Sequence, residues 1–225
     1  MDTLDWAAQL RESEVPPHQG FNHVNGNLIA AHESLDYEDL SRKRPSIREG
    51  PWEESVYKDW NTNFPEKILH AELDPGHTTI DLWNIRAIPG SMWGEEKIKI
   101  LEDVYNRIEK AGERPRMLAG DLNSPKDELP DGTVIPWGLD RESDIRSRWI
   151  EAELNIMNGL EEIGMEDVFR SLNGYGDIEL LDTSFERRRF DHLFASSLLG
   201  ARECYYEPDG FEVSDYAPLI AEFDL

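Results

Sequence analysis

The sequence predicts an α/β fold, and three observations carry that expectation. Runs with strand-like alternation recur between Gly26 and Phe223. Between them lie two stretches whose apolar residues repeat at helical spacing, each followed by a Gly where a C-terminal cap would fall. Finally, the run Met117-Leu118-Ala119 is followed by Gly120-Asp121-Leu122-Asn123, so a short buried strand ends in a tight exit that carries an Asp and an Asn two residues apart.

In chain order, Leu4 to Leu10 has the spacing of a short amphipathic helix, which Val15-Pro16-Pro17 stops. Residues 1–25 are therefore expected to be a lead-in and residues 26–225 a single domain, since 225 residues suffice for one sizeable core. Gly26 to His32 reads as the first strand, followed by a long polar segment, Glu33 to Pro65, with Trp52, Tyr57 and Trp60. Lys67 to Leu73 and Thr78 to Arg86 read as a hairpin turned by Asp74-Pro75-Gly76-His77. Alternation places Ile80, Leu82, Asn84 and Arg86 on one face, with the last two beyond the apolar part of the strand and able to reach a cleft.

Ile98, Leu101, Val104, Tyr105 and Ile108 mark the first helix, with Gly112 beyond its end. Lys126 to Asp144 reads as an acidic loop holding Trp137. A second helix is expected from Arg148 to Ile163, closed by Gly164. Arg189 to Ala195, Arg202 to Tyr206 and Leu219 to Phe223 complete the strands, with Ser214-Asp215-Tyr216 just before the last one.

Composition narrows the function. Asp and Glu number 47 against 23 Lys and Arg, a formal charge of -24, and Arg outnumbers Lys. Such a surface repels itself unless salt shortens the Debye length, to roughly 3 Å at 1 M, so a salt-rich cytoplasm is the expected setting. Two short basic runs, Arg42 to Arg44 and Arg187 to Arg189, argue against generic nucleic-acid coating. The single Cys204 excludes an internal disulfide and a Cys-rich zinc site. No apolar run approaches the length of a membrane span, and the expectation is a soluble, cytoplasmic protein.

A bare Gly-Asp-x-Asn is commonly an Asx-type turn closing a strand. Here it stands first in an ordered set: Gly120-Asp121-Leu122-Asn123, then Arg189-Phe190-Asp191-His192, then Ser214-Asp215-Tyr216-Ala217-Pro218-Leu219. Together the three motifs resemble the endonuclease/exonuclease/phosphatase superfamily of Mg2+-dependent phosphodiesterases, over roughly Gly26 to the C-terminus. The resemblance implies a DNase I-like two-sheet sandwich flanked by helices, incomplete at the N-terminus. It implies Asp121 as the base or water-positioning Asp, Asn123 as an amide on the scissile phosphate, Asp191 as the carboxylate that orients the family's catalytic His, and Asp215 as the acid near the metal, Mg2+ or Mn2+. Asn84, Arg86 and Tyr216 would join Asn123 in holding the phosphate of a phosphodiester substrate, nucleic acid being one class of it.

Three departures weaken the catalytic expectation. Tyr216 stands where the family has the His of Ser-Asp-His, and Arg86 where it has the His of Asn-x-His, so both imidazoles are replaced. His192 follows Asp191 but alternates to the opposite face. No strand pair with the family's Asn and metal-binding Glu precedes Gly26, and Glu12, Glu14 and Glu33 occupy no comparable place. Missing strands would leave an open sheet edge, which a partner or self-pairing into a homodimer would cover. Besides a phosphodiesterase with a weakened site, the sequence is compatible with a non-catalytic phosphate-ester-binding module and with a truncated relic.

Overall fold

The structure, a computed structural model, describes residues 27–40, 60–62, 64, 67–76, 78–142, 144–177 and 182–224. The expected helix at Leu4 to Leu10, the lead-in to residue 25, Glu12, Glu14, and the Arg42 to Arg44 run with Trp52 and Tyr57 lie outside these residues.

Ten strands occur among them: β1 (Asp36–Asp39), β2 (Ile68–Asp74), β3 (Ile80–Arg86), β4 (Arg116–Asp121), β5 (Asp127–Glu128), β6 (Val134–Ile135), β7 (Met165–Asp167), β8 (Asp191–Ser196), β9 (Gly200–Tyr206) and β10 (Leu219–Asp224). The helices are α1 (Gly90–Lys110), α2 (Arg146–Met157), α3 (Gly159–Glu162) and α4 (Val168–Asn173). Six strands form the main sheet in the order β1-β2-β3-β4-β8-β7, antiparallel except for the parallel pair β3 and β4. That parallel pair needs a crossover, and α1 supplies it, packing back onto the sheet.

Period-two alternation then divides the sheet's residues between two cores. On one face, Trp83, Ile85, Leu118 and Phe194 pack against Ile98, Leu101, Val104 and Ile108 of α1 and Trp149, Ala152 and Ile156 of α2. On the other, Ile80 and Ala195 meet Cys204 and Tyr206 of β9, with Val168 and Phe169 of α4 at the side. Leu73, Met117, Leu193, Leu219, Ala221 and Phe223 are only half-buried there, because β9 and β10 form a two-stranded layer over a six-stranded one.

Several expectations are corrected. Residues 27–32 are not a strand: the Asn27 amide donates instead to the carbonyls of Lys67 (2.6 Å) and Asn84 (3.3 Å), and the Asn84 amide donates to Leu28 O (3.2 Å), so side chains rather than a backbone ladder hold this segment. The first strand is the polar Asp36–Asp39, an exposed edge strand within the stretch expected to be a loop. The expected helix from Arg148 to Ile163 is broken at Asn158, whose φ of -124° is non-helical, into α2 and α3. The Lys126 to Asp144 stretch is not a plain loop, since it forms the β5/β6 hairpin and a 3-10 turn, Trp137–Asp140. Of the Arg187 to Arg189 run, Arg187 is exposed and Arg188 half-buried, while Arg189 is buried. Its guanidinium bridges Glu128 (3.0 Å) and Asp167 (2.6 Å), and Glu128 also takes Arg170 (2.6 Å). Burial alone would raise the Asp167 carboxyl, but Arg189 and His192 hold it well below the usual carboxylate range. No helix among the described residues is long and apolar enough to cross a membrane.

Candidate phosphate site

The chemistry expected from the sequence converges at one rim of the main sheet. Because β3 and β4 run parallel and β8 antiparallel to them, two strand ends and one strand start meet there, and register sets Arg86, Asp121 and Asp191 side by side. All three share the face toward β9 and β10 with Ile80, Leu82 and Asn84. Gly120 lets the chain turn at this rim: its φ is +136°, and a Cβ there would lie 2.0 Å from the Ile85 carbonyl oxygen.

Asp121 is the hub. One carboxylate oxygen accepts the Asn123 backbone N–H (2.8 Å); the other accepts the Asn123 side-chain amide (3.1 Å) and the Arg86 Nε–H (3.4 Å). Burial pushes this carboxyl up, against the pull of the Asn123 N–H and of the Arg86 and Lys97 charges. The Asn123 amide also donates to Ala87 O (2.7 Å), so both its hydrogens are committed within the protein and it braces Asp121 here. Arg86 is 29% exposed at its side chain and makes no hydrogen bond beyond Asp121 among the described residues, so its terminal nitrogens have no partner there.

Asp191 is placed by its backbone. The Ser184 hydroxyl accepts the N–H groups of Phe190 (2.9 Å) and Asp191 (3.0 Å), and the Tyr206 hydroxyl donates to Asp191 O (2.7 Å). Its Oδ2 is buried with no hydrogen-bond partner among the described residues. Burial first, and Asp121 second, push the Asp191 carboxyl up to about 6. Tyr216 comes to the site because Ala217 N donates to Ser184 O (2.9 Å) and the Tyr216 ring stacks on Phe185, 4.7 Å between centroids. Burial, then the charges of Asp121 and Asp191, push its hydroxyl up to about 12, so it stays a proton donor.

Of the residues singled out from sequence, Arg86, Asp121, Asn123, Asp191 and Tyr216 are brought together. Asn84 lies on the same face two residues back along β3, its amide occupied by Leu28 O. Asp215 is exposed and makes no hydrogen bond among the described residues, although its charge acts on the neighbouring Tyr216 hydroxyl. His192 is buried on the helix face, where its Nε2 meets the carbonyls of Ser124 (2.9 Å) and Arg189 (2.5 Å). Sequence reasoning missed Ser184 and a buried group behind Asn123, formed by Lys97, Glu153, Ser124 and Trp137. The adjacency of Ser124 to Asn123 is the sole sequence signal for that group.

The donor set fits a protein-held divalent ion poorly. Both Asp121 oxygens are engaged, Arg86 already supplies the positive charge, and no group of three metal-ligating side chains converges among the described residues.

The architecture is that of a DNase I-like α/β sandwich, the fold of the endonuclease/exonuclease/phosphatase proteins. The chain superimposes on an AP endonuclease from Archaeoglobus fulgidus with a TM-score of 0.52 at 20% identity, covering 74% of this chain and 69% of that one. It superimposes on the catalytic domain of Xenopus laevis APE2 with a TM-score of 0.50 at 17% identity, covering 77% of this chain and 59% of that one. No protein-family model and no curated protein matches the sequence.

Proposed function

We propose that this chain is a member of the endonuclease/exonuclease/phosphatase superfamily whose site binds the phosphate of a phosphodiester, nucleic acid included, and has lost efficient hydrolysis. The observation that carries this reading is Arg86, tied to Asp121 through Nε with its terminal nitrogens uncommitted among the described residues. A guanidinium offers two parallel N–H donors to two phosphate oxygens, and Tyr216, whose hydroxyl feels the Arg86 charge, supplies a further donor. The two positions where the resemblance implies imidazoles thus hold a guanidinium and a phenol, which bind phosphate but are poor general acids and bases. A divalent ion, Mg2+ or Mn2+, would have to arrive with the substrate, because the described donors do not form a cage for it. Residual slow hydrolysis is the second reading, and one observation favours it: Asp191 Oδ2, without a hydrogen-bond partner among the described residues and on a carboxyl raised toward neutrality, has the proton affinity of a weak base. With this reading we group a cytoplasmic, salt-rich setting and a homodimer or partner covering the place of the family's N-terminal strands, the latter checked by light scattering of the purified chain.

The test is titration of the chain with a dinucleotide phosphodiester in molar KCl. Replacing Arg86 with Ala removes a charge-assisted contact worth about 1.5–3 kcal/mol, so affinity falls about 10- to 100-fold. Hydrolysis is followed in parallel with Mg2+ or Mn2+, beside Asp121→Ala. Binding indifferent to Arg86, or rapid turnover that requires both metal and Asp121, overturns the proposal.

A further inference from the structure

Behind the row of Arg86, Asp121 and Asp191 lies a buried charged cluster that none of the site chemistry uses directly. Lys97 of α1, 1% exposed at its side chain, donates to the Asn123 carbonyl (2.7 Å) and pairs with Glu153 Oε1 of α2 (2.9 Å). Glu153, also buried, accepts the Ser124 hydroxyl (2.5 Å) and the Trp137 backbone N–H (2.7 Å). The Trp137 indole N–H donates to the same Asn123 carbonyl (3.1 Å). Two donors from different elements thus converge on one carbonyl oxygen.

A buried Lys–Glu pair stabilises a core less than apolar side chains of the same volume would, so its place calls for a physical reason. What it holds supplies one. Asn123 has φ of 47°, in the left-handed region, where a non-glycine residue persists when its surroundings over-determine it. In that conformation its backbone N–H and its side-chain amide both reach Asp121. Lys97 also adds a positive charge near Asp121, third among the cationic and hydrogen-bonding influences after Asn123 and Arg86.

We propose that Lys97 and Glu153 are positioning residues for the phosphate site: they fix the Asn123 carbonyl from behind, and the turn so fixed aims Asn123 at Asp121, which orients Arg86. The last step rests on the phosphate-binding reading above; the first two do not.

The experiment compares the full chain with Lys97→Met, close in shape but uncharged, and with Trp137→Phe, which removes one donor to the carbonyl and buries no unpaired charge. Amide exchange by NMR reads the brace without any ligand. The Asn123 N–H is expected to exchange about tenfold faster in Lys97→Met, and faster by a smaller factor in Trp137→Phe, while the Ile85 amide inside the sheet is unchanged. Affinity for the dinucleotide is expected to fall with it, about tenfold, and to regain most of the loss in Lys97→Arg. Unchanged Asn123 exchange in a folded Lys97→Met overturns the positioning role. If Lys97→Met does not fold, Trp137→Phe decides by the same readout. Faster Asn123 exchange in a chain whose wild type binds no phosphodiester upholds the brace and sinks the phosphate site alone.

Discussion

Replacing Asp191 with Asn probes the member of the row that the fold least favours as an anion. Burial and Asp121 raise its carboxyl from 3.8 to about 6, and its Oδ2 finds no partner among the described residues. At about 1.4 kcal/mol per pKa unit, ionising it in the folded state costs about 2 to 3 kcal/mol, after allowing for its residual contact with water. The sign follows from linkage. Between 3.8 and about 6 the folded chain holds a proton that the unfolded chain has released, so this group's stabilising contribution is complete below 3.8 and is lost as pH rises through about 6. An amide carries no such dependence. Urea unfolding of both proteins in molar KCl, at about pH 4 and about pH 8, gives two stability differences whose own difference removes every pH-independent effect of the substitution. The Asp191→Asn variant is expected to gain about 2 to 3 kcal/mol on the wild type between the lower and the higher pH. A difference that does not move with pH would show that Asp191 titrates as an ordinary surface acid and would refute the assignment of a desolvated row.

Two further outcomes follow from the fold. Arg189→Leu leaves the Asp167 and Glu128 carboxylates facing each other without their shared cation and should destabilise the chain by about 3–5 kcal/mol, read as a lower urea midpoint with an unchanged slope. Gly120→Ala sets a Cβ 2.0 Å from the Ile85 carbonyl oxygen at a φ of +136° and should cost at least about 3 kcal/mol, read as loss of cooperative unfolding or of soluble expression.

How much of this was legible in the sequence depends on the range over which each feature is encoded. β2, β3, β4, β8, β9 and β10 were readable because their alternation is local and their apolar faces are long. The edge strand Asp36–Asp39 was not, since four polar residues carry no apolar signature and their pairing is decided by β2. Leu28 to Ala31 misled for the opposite reason: an apolar run suggested a strand, while Asn27 and Asn84 offered the backbone side-chain partners instead. β7 and α4 escaped a reading by periodicity although a local signal exists, Asp167 capping α4 by accepting the Arg170 N–H at 3.2 Å. In the site, Asp121, Asn123 and Asp191 sit on motifs and could be named. Lys97 and Glu153 meet between two helices far apart in the chain, and nothing local marks either as different from a surface charge.

The ion pairs around Arg189 differ from the rest of this acidic chain in what surrounding electrolyte can reach. Counter-ions gather over an envelope of charge -24 and quiet its self-repulsion, with a range that shrinks to roughly 3 Å at 1 M. Arg189, 1% exposed at its side chain, lies beneath that atmosphere with Glu128 at 5% and Asp167 at 13%, so dissolved ions compete far less for its partners than for surface charges. Electrolyte therefore acts by depth, screening repulsion in the shell more than attraction in the inner bridges.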